Sequence, residues 1–505
     1  MSLKHNLAAN YLSQGYIAIV GVVLVPLYLK YMGAEAYGLV GFYAMLQRWF
    51  NVLDMGLTPT MAHQTARFHG GGLSALDYRR LVRALEGIFF AVALFGGGLL
   101  FLSAHWVGGH WLKVRSLPLG EVAFCLQMIA IIVALRWMGG LYRGAVTGAE
   151  HQVWLSGFTA LVATLRFVAV VPVMIFVSAA PAVFFGFQLG TAVFEIAGLM
   201  WMTGRLLPQV PPSQKLEWDW TPLKPVLGFA LTIAFTSTVW VFVTQSDQLV
   251  LSKLLPLADY GYFTAAILVA SGLMIVSGPV SSAIMPRMTN LEARGDHTQL
   301  IAIYRQATQL IVVTAVPATL VLACFPRQVL WAWTGDTVLV DKVATVLRLY
   351  ALGYGILTVG AFPYYLQYAK GNLRLHLIGN VFFAVLLIPS IIWSAIHYGM
   401  IGTGWAWLAS NIIYFLLWTP LVHRHFAPGL HWGWILRDIA RPCTPALLLA
   451  AAASWLVAWS QSRTWLAAEL VGAGVAFMIV TYLPADRLTS VRRLAMPHRA
   501  KRDVA

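Results

Sequence analysis

The chain has 505 residues, of which 59% are hydrophobic and only 10% charged, and its formal net charge is +15. Globular domains carry roughly 25% charged residues, and a soluble fold has nowhere to hide this much apolar surface, so a soluble protein is excluded. A basic balance would suit nucleic acid in a soluble chain, but here the basic residues fall where membrane topology puts them, and nucleic acid is not an expected partner.

Apolar runs of about twenty residues, each able to cross a hydrocarbon core of about 30 Å, recur along the whole chain. They predict about fourteen transmembrane helices. The first set covers 10–31, 38–56, 84–104, 120–142, 152–177, 182–203 and 225–245. The second covers 260–284, 306–325, 343–366, 375–396, 400–421, 443–459 and 465–483. The first span is long enough to cross and lacks a small-residue cleavage site, so it reads as a retained helix. The fold class expected is an all-α polytopic membrane protein.

Ionisable groups near a bilayer centre cost several kcal/mol and belong in a bundle interior or a water-filled cavity. In the second span Gln47, Asn51 and Asp54 share a helical face, with Arg48 beside it. In the fourth, Arg136 and Arg143 share a face with Gly140, and Gly140, Gly144 and Gly148 form a small-residue ridge that predicts close helix packing. Arg166 lies near the middle of the fifth span. Gln188, Thr191 and Glu195 stripe the sixth, and Thr232, Thr236, Thr244 and Asp247 stripe the seventh; Arg348 lies about a turn inside the tenth. A guanidinium holds phosphate oxygens through paired donors and keeps its charge, so Arg48, Arg136, Arg166 and Arg348 are candidates for an anionic head group. The competing reading pairs Arg48 with Asp54, or Arg166 with Glu195, for burial alone. Asn51, Asp54, Glu195 and Asp247 are candidates for cavity polarity or for H+ or Na+ coupling.

Prolines such as Pro26, Pro172 and Pro317 lie within or near span ends, where each can bend a helix. Tyr364, Tyr365 and Tyr368 could stack on sugars, although interfacial anchoring is the ordinary role of such rings. His423, His425 and His431 read as a solvated basic loop, not a metal site. Cys125, Cys324 and Cys443 are too scattered for a disulfide framework and read as packing residues. Walker-type, His-Glu-x-x-His and Gly-x-Ser-x-Gly motifs are missing, so neither catalysis nor a cofactor is expected.

About two-thirds of the 34 Lys and Arg fall in the loops on the side of the N-terminus or in the tail. That asymmetry, with an even number of helices, predicts both termini in the cytoplasm. An internal echo predicts a repeat: Ala34-Glu35-Ala36-Tyr37-Gly38 follows the first span, and Leu257-Ala258-Asp259-Tyr260-Gly261 follows the seventh. Parallel repeats of six helices around a mid-membrane site are a transporter design. The expected organisation is a six-helix bundle at 1–206, a proline-bearing linker at 207–224, a second bundle at 225–425, two further helices at 426–485 and a basic tail at 486–505.

The opening, with Asn10, Tyr11, Pro26 and Tyr31-Met32-Gly33-Ala34-Glu35-Ala36-Tyr37-Gly38, then Leu53-Asp54-Met55-Gly56-Leu57 and Ala66-Arg67, resembles the Wzx-like O-antigen and exopolysaccharide flippases. These belong to the multidrug/oligosaccharidyl-lipid/polysaccharide superfamily. The resemblance implies a MATE-like fold of two six-helix bundles around a cationic cavity, with two added helices. It also implies transport of undecaprenyl-pyrophosphate-linked oligosaccharide from the cytoplasmic to the periplasmic leaflet of a bacterial inner membrane, for O-antigen or exopolysaccharide biosynthesis. Membrane lipids, a polysaccharide polymerase and a chain-length regulator are the implied partners. The alternatives are a lipid II flippase, a cation-coupled drug exporter, or a membrane glycan polymerase or glycosyltransferase. Against the last, the longest external loops, near 105–119 and 326–342, are only about fifteen residues.

Overall fold

The computed structural model describes residues 3–54, 56–208 and 224–485. Most of the expected linker at 207–224 and the whole tail at 486–505 lie outside the described residues, as do the side chains of Thr232 and Thr236. Among the described residues, ten helices are long and apolar enough to cross a membrane, or eleven if one bent pair counts as a span. The expected spans at 375–396 and 400–421 form one helix of 53 residues, broken at Gly399 (φ 59°, ψ −142°). The chain divides into two compact units, Met1–Ala265 with Ala384–Thr403, and Ala266–Phe383 with Gly404–Ala505.

The first unit contains α1 (Leu3–Val23), α2 (Val25–Leu53), α3 (Leu57–His69), α4 (Ala75–Leu102), the short α5 (Ala104–Trp106), α6 (Leu119–Gly148), α7 (Gln152–Ala163), α8 (Val170–Phe176), α9 (Pro181–Leu206) and α10 (Lys224–Leu254). The first expected span bends by 48° between α1 and α2, where Pro26 stands in the first turn of α2 and lacks the donor that would continue the helix. A second break at Gly33 (φ 82°) turns α2 into the next span, in a backbone region that favours glycine. α6 is apolar almost all round and packs against α3, α4 and α9, which makes it the central helix of the unit.

The glycine ridge does what small residues on a packing face allow. A Cβ at Gly144 would lie 2.6 Å from the carbonyl oxygen of Thr58, and one at Gly148 would collide with that of Ala62, so α6 and α3 touch backbone to backbone. The two copies of the echo also meet directly. A Cβ on Gly261 would collide with the carbonyl of Ala34 and come within 2.9 Å of the Gly38 nitrogen, and a Cβ on Gly38 would strike the carbonyl of Leu257. The loop at 112–118 fastens this crossing. The Glu35 carboxylate accepts the backbone N–H groups of Arg115 (2.5 Å) and Ser116 (2.8 Å), while the Lys113 ammonium donates to the Leu254 carbonyl at 2.8 Å.

Most of α11 (Leu257–Ser271) still belongs to the first unit; the second contains its last residues, then α12 (Ser277–Ala293), α13 (His297–Cys324), α14 (Pro326–Thr334), α15 (Thr337–Gly360) and α16 (Phe362–Ala369). It continues with much of α17 (Arg374–Phe426), α18 (Leu430–Gly433), α19 (Arg441–Leu456) and α20 (Arg463–Tyr482). α13 is central here and packs against α12, α15, α19 and α20. One core joins Tyr304, Phe362, Leu366 and Trp434; another joins Phe325, Leu466 and Phe477.

This core corrects the reading of the histidines as a solvated loop. His423 is fully buried at the end of α17, with its ring nitrogens against the Tyr304 hydroxyl at 2.7 Å and His431 Nδ1 at 3.0 Å. α17 continues through Phe426, so His423 faces the bundle and only His425 is exposed. Tyr365 is likewise a core residue, packed on Phe362, whereas Tyr368 is 43% exposed.

Candidate functional site

Three of the predicted residues, Arg136, Arg166 and Glu195, converge in the first unit. α6 presents Arg136 and Arg143 two turns apart on one face, and α9 sets Glu195 opposite them. The Arg136 side chain is 1% exposed, with Nε 3.4 Å from Glu195 Oε2, and Arg143 pairs with Glu195 Oε1. Arg136 also donates to the Tyr43 hydroxyl and, at 3.4 Å, to Gln188 Oε1. Arg166 lies in a π-helical turn, Thr164–Ala169, between α7 and α8. Its guanidinium reaches the Tyr43 hydroxyl at 3.5 Å, and its backbone carbonyl accepts from Gln188 Nε2 at 2.8 Å. Gln188 thus holds both the wide turn and one of its cationic neighbours, at a helix irregularity of the kind common at functional sites.

Two guanidiniums pair with one carboxylate and a third lines the adjoining cavity, so these four residues carry more cations than anions. A buried ion pair repays desolvation only when its charges balance and its hydrogen bonds are satisfied. Here Arg166 makes no ion pair with Glu195, and its Nε is buried without a hydrogen-bond partner among the described residues. Arg143, Arg166 and Glu195 line a cavity of about 280 Å³, whose other walls come from α1, α2 and α7 and carry amide and hydroxyl groups.

Arg48 does not take the partner that the competing reading gave it. It points to α10, donating to Gln245 Oε1 at 2.9 Å and to Gln248 Oε1 at 3.4 Å, and makes no ion pair with Asp54. Asp54 is instead occupied locally, accepting the Thr58 hydroxyl at 2.6 Å and the Thr58 backbone N–H at 3.3 Å across the turn into α3. Asn51 is exposed beside it. Asp247 is 3% exposed and accepts the Gln248 backbone N–H at 2.7 Å. Arg48 and Asp247 therefore form a second polar zone of the first unit, outside the residues that line the cavity.

Arg348 belongs to neither zone. It lies in the second unit, exposed, and its Nε donates at 2.9 Å to the Ala323 carbonyl in the last turn of α13. A cation on a C-terminal carbonyl serves a helix end, a contact separate from the first unit's cluster. Sequence reasoning missed Tyr43, the hydroxyl shared by two arginines. Its spacing of four from Gln47 places it on the polar face of α2, which was a usable signal.

A sequence model of the family described as "Polysaccharide biosynthesis protein" matches residues 3–292, and one described as "Lipid II flippase MurJ" matches residues 256–475. No curated protein matches the sequence. Among solved structures, the chain is similar to lipid II flippase MurJ in an inward closed conformation, with a TM-score of 0.73 at 13% identity, covering 96% of this chain and 99% of that one. It is also similar to an inward-facing MATE family multidrug resistance transporter of the MOP superfamily (0.66, 12% identity, 80% and 94% covered). A third likeness is to the MATE multidrug transporter DinF-BH (0.59, 13% identity, 84% and 96%). At these identities the likenesses show the fold, an all-α membrane fold like that of MurJ and the MATE transporters, in keeping with the MATE-like expectation.

Proposed function

The chain belongs to the polysaccharide biosynthesis protein family, and we propose that it flips undecaprenyl-pyrophosphate-linked oligosaccharide between membrane leaflets. The direction is from the cytoplasmic to the periplasmic leaflet of a bacterial inner membrane, with both termini cytoplasmic, to supply O-antigen or exopolysaccharide. The observation that carries this reading is the charge of the cluster: Arg136 and Arg143 pair with Glu195, and Arg166 lines the same polar cavity. A pyrophosphate is the kind of ligand that completes such a cluster, because each guanidinium offers paired donors to phosphate oxygens. Drug exporters of cationic substrates need the opposite sign.

In this reading the head group is loaded from the cytoplasm and the lipid tail stays in the bilayer. Transport is by alternating access, with repeated bundles at 1–206 and 225–425 and the helices at 426–485 outside the repeat. Polymerase and chain-length regulator are downstream partners. Arg136 is held by Tyr43, Gln188 and Glu195 and sets the local field; Arg143 and Arg166, on the cavity wall, take the phosphate. Asn51, Asp54, Glu195 and Asp247 remain the candidates for cavity polarity or for H+ or Na+ coupling, with Asp54 held by Thr58 and Glu195 by two arginines.

Lipid II is the second reading, favoured by the MurJ family match over residues 256–475. Proteoliposomes carrying labelled undecaprenyl-pyrophosphate oligosaccharide, lipid II or a cationic dye, read by a membrane-impermeant enzyme or by dye release, separate the readings. Faster equilibration of the oligosaccharide lipid than of the other two is expected. Preference for lipid II or for the dye would replace this function, and a lengthened or transferred glycan with no leaflet change would replace it with an enzyme.

A further inference from the structure

At the end of the second unit where α13 finishes and α15 begins lies an open cavity of about 570 Å³ that the transport reading does not use. Its walls come from α14, the first turns of α15 and α20, and the loop at 457–462 between α19 and α20. Trp331 and Trp459 line it, together with Arg327, Gln328, Asp341 and Gln461.

Tryptophan at a membrane end is ordinarily an interfacial anchor. Trp455 and Trp465 fit that role, being 90% and 69% exposed. Trp331 and Trp459 do not, because both are half-buried and both are held in place. The Arg463 guanidinium lies 5.5 Å from the centre of the Trp331 ring and donates to the carbonyls of Ala332 (3.3 Å) and Trp333 (3.0 Å). The Trp459 ring packs on Phe325 with 4.6 Å between centroids. The Glu469 carboxylate accepts the Ser460 N–H at 2.9 Å, which pins the loop that carries Trp459 and Gln461. Rigid aromatic surfaces lose little freedom when a ligand binds.

The polar groups beside the indoles match one ligand chemistry. Neither Gln328 nor Gln461 makes a side-chain hydrogen bond among the described residues, so each amide offers both donors and an acceptor. Arg327 pairs with Asp341 at 2.5 Å, but the two side chains are 62% and 64% exposed, and so loosely held a pair stays able to bond ligand hydroxyls. A guanidinium and a carboxylate side by side disfavour a cationic and an anionic ligand alike. An acyl chain would leave the amides unpaired. A neutral polyol with apolar C–H faces satisfies every group, and that is a sugar. The volume falls within the roughly 300 to 1,000 Å³ of small-molecule sites and admits more than a single ring.

We propose that this cavity is a binding site for neutral oligosaccharide, in which Trp331 and Trp459 stack on sugar rings while Gln328, Gln461, Arg327 and Asp341 bond their hydroxyls. It uses none of the residues of the arginine cluster, and it includes the loop region 326–342 expected on the external side. On the flippase reading, on which the source of the ligand rests but the site does not, the occupant is the distal part of a glycan already exported.

The first arm of the test measures binding of fluorescently labelled short neutral oligosaccharides, built from glucose, galactose, mannose, rhamnose or N-acetylhexosamine, to the full-length protein in detergent. A sialylated oligosaccharide is the anionic control. Saturable binding of a neutral probe, tighter than the control, is expected. Gln461→Leu, at an exposed position, is expected to weaken it about tenfold, the value of one or two hydrogen bonds, with the melting temperature at the wild-type level. Trp459→Phe, which keeps an aromatic surface, is expected to retain part of the affinity that Trp459→Ala loses. No saturable binding of any neutral probe, or binding left intact by both Gln461→Leu and Trp459→Ala, would overturn the site. The second arm assigns the source of the glycan, using proteoliposomes with undecaprenyl pyrophosphate bearing one hexose or a longer neutral oligosaccharide. Gln461→Leu is expected to slow the longer glycan more than the single hexose. Equal slowing, or none, beside a loss of soluble-probe binding would overturn the exported glycan as occupant and assign the site to soluble glycan. If wild type moved neither lipid yet bound the soluble probe, the flippase reading would fall and the carbohydrate site would stand.

Discussion

Each unit of the molecule buries arginine, and the two do so by different arithmetic. In the second unit Arg305 meets Asp438, which is fully buried, through Nε at 2.5 Å and a terminal nitrogen at 3.2 Å, and Gln309 adds a donor at 2.9 Å to the same carboxylate. The Gly433 carbonyl accepts from Arg305 at 3.4 Å, so one cation and one anion satisfy each other within the fold. In the first unit Arg136 and Arg143 share Glu195, and Arg166, without an ion pair to it, lines the same polar cavity. A balanced pair holds helices together; the unbalanced cluster is where we propose that an anion binds. The residue type is the same in both places, and the ratio of partners differs.

The largest expected effect breaks this comparison at its functional side. Arg166→Ala should lower flipping of the pyrophosphate lipid about ten- to a hundredfold, the value of charge-assisted hydrogen bonds to phosphate, while thermal unfolding in detergent stays near wild type. Next comes the structural side: Asp438→Ala leaves Arg305 buried without its counter-charge and should cost about 3–5 kcal/mol of stability. Transport per folded molecule should be unchanged, as measured by normalising leaflet equilibration to folded protein. If Asp438→Ala abolished transport with stability intact, the division of roles would be wrong.

Two smaller effects sharpen the contrast. Gly261→Ala drives a methyl into the Ala34 carbonyl where the echoed segments cross, and should cost about 1–3 kcal/mol by overpacking, seen as a lowered melting temperature. Arg348→Ala removes an exposed cation from a helix end and should cost under about 1 kcal/mol, with export at the wild-type level. Loss of export in Arg348→Ala would place that residue in the head-group site.

Hydropathy and glycine spacing made the fold legible. Long apolar runs marked the spans, Pro26 foretold the bend between α1 and α2, and the ridge from Gly140 to Gly148 foretold the contact with α3. Arg136, Arg166 and Glu195 were recognisable as polar residues inside apolar runs, since burial of charge needs a reason. Their partners were harder to see, because a pairing such as Arg136 with Glu195 spans two helices whose rotation about their axes is set by packing. The same limit hid the Arg48 contact with Gln245, nearly two hundred residues away, and the burial of His423. Composition marked the last part of α17 as loop because His423, Arg424 and His425 are polar, yet only one side of that turn faces out.

The most direct test of the surplus-charge account is equilibrium binding of a water-soluble short-chain prenyl pyrophosphate to purified protein in detergent, across a range of salt. Wild type should bind, and Arg143→Ala/Arg166→Ala should lose about tenfold or more, since two phosphate-facing guanidiniums are gone. Arg305→Lys, which keeps the charge in the second unit, should bind as wild type does. Undiminished binding by the double variant would contradict the account, because the anion would then be held somewhere other than the Arg143, Arg166 and Glu195 cluster.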